Sequence, residues 1–83
     1  MSIEQKVRDY ILDNYLFTDD QSALSNEDSF LNKGIIDSTG IMEVIFFLEE
    51  QFGIQVQDEE MVPENLDSVK NITSYIQRKQ AAG

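Results

Sequence analysis

The stretch STGIMEVIFFLEEQF, from Ser38 to Phe52, constrains the fold more than any other part of the chain. Taking about 100° per residue, Ile41, Val44, Ile45, Leu48 and Phe52 fall on one stripe, the mark of a helix with one buried side. Asp37 and Ser38 supply start chemistry and Gly53 a stop, so the pattern predicts a helix over 38–52. The first segment, SIEQKVRDYILDNYL, repeats the period. Ser2 can cap it, and Ile3, Val7, Tyr10, Ile11 and Tyr15 share a face that Leu12 and Leu16 widen. The last, SVKNITSYIQRK, buries Val69, Ile72, Tyr75 and Ile76, and its Arg78 and Lys79 suit the negative end of the helix dipole. No stretch alternates with period two for long enough to make a sheet. The expected fold is all-α: a small four-helix bundle of three main helices and one short helix, with a long first loop.

That loop, FTDDQSALSNEDSFLNKG, is long for a structureless connection, so Leu24, Phe30 and Leu31 are expected to pin it to the core, with a short helical turn inside it. After Gly53, IQV leads to a brief turn, EEMV, which Asp58 caps and Pro63 ends. A chain of 83 residues has material for one core, so residues 1–83 form a single domain, with 80–83 frayed.

Composition excludes several classes of function. The chain has no His and no Cys, hence neither the usual general base nor the usual thiol nucleophile, and no soft metal ligands. No catalysis by the chain itself and no metal site are expected; DDQSALSNEDS lacks the central Gly and terminal Glu of an EF-hand loop. A net charge of −10 is the wrong sign for nucleic acid and for an anionic membrane surface. The N-terminal MSIEQKVRDY lacks the regions of a signal peptide and no apolar run reaches spanning length, so a cytoplasmic, soluble monomer is the expectation. From Gly34 to Val69 there are nine acids and no base. Such a surface either promotes solubility or steers partners that carry basic patches.

Asp-Ser occurs three times, at Asp28-Ser29, Asp37-Ser38 and Asp67-Ser68. Capping chemistry accounts for the first and last. Ser38 differs in its surroundings: Gly34 permits a tight approach, Ile35 and Ile36 anchor it, and the serine stands at a helix N-terminus receptive to phosphate. Met42 and Phe46, at i+4 and i+8 from Ser38, lie beside the core stripe, with Glu43 and Glu50 further round. They either widen the core face or form an apolar and acidic docking strip. Gly40 in the first turn is either tolerated near a helix end or needed for a close approach.

FLNKGIIDSTGIMEVIFFLEEQFGIQVQDEE followed by LDSVKNITSYI resembles the acyl carrier protein family, which includes peptidyl and D-alanyl carriers. The resemblance covers nearly the whole chain, and its most specific part is Gly-x-x-Asp-Ser ahead of an amphipathic helix ending in LEEQFGI. It implies a four-helix bundle whose serine, by position Ser38, carries 4′-phosphopantetheine installed from coenzyme A by a separate phosphopantetheinyl transferase. Asp37 matches the family's preceding acid. The arm's thiol would carry an acyl or aminoacyl group as a thioester and present it to synthases or adenylating ligases with basic docking patches. Glu43, Glu49 and Glu50 match the acidic docking positions, and Met42 and Phe46 the apolar ones. Thr39 and Gly40 depart from the Leu that many fatty-acid carriers place after the serine. With IIDS and the bulky Phe46-Phe47 pair, they lean away from housekeeping fatty acid biosynthesis towards a carrier with its own ligase, D-alanine loading included. A different class stays open: an unmodified acidic helical interaction domain.

Overall fold

The structure is a computed structural model and describes residues 2–82. Helix α1 (Ile3–Ile11) starts where the Gln5 N–H donates to Ser2 Oγ at 3.0 Å. It continues into one wide π-type turn, Leu12–Leu16, and stops at Phe17, whose left-handed backbone (φ 54°) cannot extend a helix. Helix α2 (Ser38–Phe52) has the predicted bounds, capped by Asp37 at one end and by left-handed Gly53 at the other. Helix α3 (Pro63–Leu66) is a single turn, and α4 (Val69–Ala82) closes the bundle. No strand occurs among the described residues.

One core joins these elements. Val7 and Ile11 of α1, Val44 and Leu48 of α2, Leu66 of α3, and Ile72 and Ile76 of α4 are all buried in it. Burying a side chain of this size contributes about 1.5–3 kcal/mol relative to leaving it in water. Tyr75 is buried too; burial first, and then the Glu60 carboxylate, push its hydroxyl up to about 12.

The long loop is strapped down as well as packed. Leu24 and Phe30 are buried, and a short 3₁₀ turn forms at Gln21–Ala23. The Phe30 N–H donates to the Asp67 carbonyl at 2.8 Å and the Lys70 N–H to the Asn26 carbonyl at 2.9 Å, tying the loop to the α3–α4 junction. Arg8 holds its other side through the Gln21 carbonyl and Asn26 Oδ1, both at 2.6 Å.

Three expectations need correction. Leu31 does not pin the loop: it is 47% exposed, because the turn closed by Lys33 N–H on the Ser29 carbonyl carries it outward. Asp58 is not a cap and Pro63 is not a stop. Gln57 precedes a 3₁₀ turn at Asp58–Glu60, and Pro63 opens α3, where its missing N–H costs nothing and its fixed φ suits the first helical position. Helix α4 extends through Ala82, and Gly83 lies outside the described residues.

Glu60 anchors the segment between α2 and α3. Its Oε1 accepts from the Gln57 N–H (3.0 Å), the Tyr75 hydroxyl (3.1 Å) and Lys79 Nζ (2.9 Å). The backbone N–H, and after it the ammonium, hold this carboxyl below its ordinary range.

Candidate functional site

The approach to α2 is fixed from both sides. Gly34 takes a left-handed turn (φ +67°) that a side chain would strain. The N–H groups of Ile35 and Ile36 then converge on the Phe30 carbonyl at 2.9 and 3.3 Å, and Ile36 is buried. Asp37 Oδ1 accepts the Gly40 N–H at 2.7 Å, closing the first turn. Ser38 is the first residue of the helix, exposed, and its Oγ has no hydrogen-bond partner among the described residues.

The other two Asp-Ser serines are occupied. Ser29 Oγ donates to the Asp67 carboxylate and accepts from the Asn32 N–H at 3.2 Å. Ser68 is buried, and its Oγ accepts the Asn71 N–H at 3.1 Å, capping α4. Of the three Asp-Ser serines, Ser38 alone is exposed with its hydroxyl unengaged among the described residues.

Beside Ser38 lies a hollow of about 190 Å³. Ile41 of α2, Met61, Val62, Pro63 and Leu66 around α3, and Leu31 and Asp67 complete its lining. These residues are far apart in the chain, and only Ile41 belongs to a periodic stripe that points here. The one local signal is an apolar Leu31 beside a turn, a residue that composition alone places in the core.

On α2 the apolar residues divide sharply. Val44 and Leu48 are 1% and 0% exposed, whereas Met42 and Phe46 are 57% and 62% exposed. Phe47 belongs inside: its ring stacks on Tyr10 with centroids 3.9 Å apart. Glu43 and Glu50 are exposed and share a surface hollow with Met42 and Phe46. Glu49 stands apart, half-buried, with its carboxylate turned to the Val56 N–H at 3.0 Å.

Gly40 is a place of close approach. A Cβ there would lie 2.8 Å from Ile36 Cγ2 and 3.4 Å from Tyr15 Cε1. The Tyr15 hydroxyl lies 3.2 Å from both the Gly40 carbonyl oxygen and Glu43 Oε2. Burial, then Tyr10 and Glu43, push this hydroxyl far above the ordinary tyrosine range, so it stays a donor.

No helix among the described residues is long and apolar enough to cross a membrane. Fold and site together define a small all-α domain with one free serine hydroxyl at the head of an acidic helix. No protein-family model matches the chain. It is 32% identical over 82 residues to an acyl carrier protein of Bdellovibrio bacteriovorus, covering 99% of this chain and 100% of the relative. It is 33% identical over 78 residues to an acyl carrier protein of Lactobacillus acidophilus, covering 94% and 92%. A D-alanyl carrier protein of Streptococcus uberis is 34% identical over 82 residues, covering 99% and 100%. The chain belongs to the acyl carrier protein family.

Proposed function

We propose that this chain is a carrier rather than a catalyst, with 4′-phosphopantetheine attached through a phosphodiester to Ser38 Oγ. The observation that carries this reading is the free, exposed Ser38 hydroxyl, against the occupied hydroxyls of Ser29 and Ser68. The residues suit the group. A helix N-terminus favours a phosphate through its unpaired N–H groups and dipole, and Asp37 holds the turn without covering the hydroxyl. When bound, the group supplies a thiol that holds an acyl or aminoacyl group as a thioester, in a chain that has no cysteine of its own.

The chain's residues do the presenting. Met42 and Phe46 offer apolar surface, and Glu43 and Glu50 attract basic patches on a phosphopantetheinyl transferase and on loading enzymes. The pathway is lipid, polyketide or other specialised biosynthesis. The Streptococcus uberis relative favours a second reading, an aminoacyl or D-alanyl carrier served by an adenylating ligase.

The test offers coenzyme A and a broad-specificity phosphopantetheinyl transferase to the parent and to Ser29→Ala, Ser38→Ala and Ser68→Ala. Intact mass should show one added phosphopantetheine on all but Ser38→Ala, and circular dichroism should show that variant folded. Modification of Ser38→Ala, or refusal of the parent by every transferase tried, would end the carrier reading.

A further inference from the structure

Tyr15 reaches from the π-type turn after α1 to the first turn of α2, the turn that carries Ser38. Its ring edge lies 3.4 Å from where a Cβ at residue 40 would stand, and its single hydroxyl proton faces two acceptors at 3.2 Å, the Gly40 carbonyl and the Glu43 carboxylate. One proton serves one acceptor well, and a carboxylate draws it more strongly than a neutral carbonyl. The Gly40 N–H is already held by Asp37 at 2.7 Å. A bond from Tyr15 to the Gly40 carbonyl therefore ties the following peptide plane as well, so that both peptides flanking Gly40 are held, two residues from Ser38.

We infer that Tyr15 couples the docking acid Glu43 to the turn that carries Ser38. A partner's ammonium or guanidinium on the Glu43 carboxylate releases the Tyr15 proton to the Gly40 carbonyl, and the turn tightens as the partner arrives. Tyr15 is thus a positioning residue, acting through Gly40, and the inference rests on the carrier reading of Ser38. Glu43 is exposed to receive such a cation, and no salt bridge occupies it among the described residues.

Two measurements test the coupling. Glu43→Gln weakens the competing acceptor without a partner, so the Gly40 carbonyl carbon signal in NMR should move downfield in that variant. The same substitution made in Tyr15→Phe should leave the signal where it is. Equal movement with and without the hydroxyl, or none in Glu43→Gln itself, overturns the inference, and the second outcome decides even if Tyr15→Phe does not fold. In the transferase reaction, Tyr15→Phe should lower kcat by about threefold or more with KM little changed. A parent-like kcat in the folded variant overturns it as well. The NMR arm uses no transferase, so failure of Ser38 modification and failure of this coupling are read separately.

Discussion

The Ser29 hydroxyl donates to the Asp67 carboxylate across 38 residues of chain, so two of the three Asp-Ser pairs are bound to each other. The same carboxylate takes the Leu31 N–H at 3.0 Å. Hydrogen bonds to a charged group contribute about 1.5–3 kcal/mol each. Asp67→Ala should therefore cost at least about 2 kcal/mol in urea unfolding, and Ser29→Ala about 1 kcal/mol. The double variant should fall short of their sum, since both remove one bond. Strict additivity would show that the contact contributes nothing in solution.

Gly40→Ala sets helix propensity against packing. Alanine gains up to ~1 kcal/mol over glycine in a helix interior. The added methyl would sit 2.8 Å from the buried Ile36 side chain, and overpacking costs about 1–3 kcal/mol. Packing should win, with a net loss of stability by chemical denaturation. A stabilised variant would mean that Ile36 yields freely.

Glu60 should leave a signature in acid. Its folded pKa lies below the ordinary 4.5, so the stability it brings is present above that value and is lost as pH falls through the depressed one. Glu60→Gln should lower Tm most at neutral pH, and the gap to the parent should close below pH 4.5. A gap of constant size down to the lowest pH would point to shape rather than charge.

Exposure on α2 predicts a separation of stability from docking. Leu48→Ala should cost about 2–5 kcal/mol. Met42→Ala and Phe46→Ala should stay within about 0.5 kcal/mol of the parent, yet slow modification of Ser38. Glu50→Lys should slow it too, by repelling a basic partner surface. Unfolding of either alanine variant would place its side chain in the core instead.

The base-free stretch makes a prediction about salt. Lys33, Lys70 and Lys79 pair with Asp28, Glu27 and Glu60, leaving the outer face of α2 without a neutralising base. Added salt should raise Tm by screening this repulsion. A Tm flat from low to high salt would count against it.

What the sequence made legible was local. Asp37 and Gly53 mark the ends of α2 because cap chemistry depends on neighbours only, and the inner faces of α1 and α4 follow from period alone. Pro63 reads as a stop but opens α3, because a proline ends one element and begins the next with equal ease, and the residues beside it do not say which. Leu31 looks like core from composition, but its outward turn depends on Asp67, far along the chain. The need for Gly40 was likewise illegible, since the obstacle there is the buried Ile36 side chain, whose placement follows from the tie of its N–H to the Phe30 carbonyl. The serine's helix could be read from the sequence, whereas the hollow beside Ser38 needed the fold.

With both ends fixed, α2 also works as a ruler. A straight helix advances about 1.5 Å per residue, which sets Met42 about 6 Å and Phe46 about 12 Å along the axis from Ser38. An enzyme that grips those two side chains already knows the distance to the serine, and the Asp37 cap keeps the scale's zero from slipping. On the carrier reading proposed above, different enzymes read the same marks, so one short rod aligns more than one active site on a single serine.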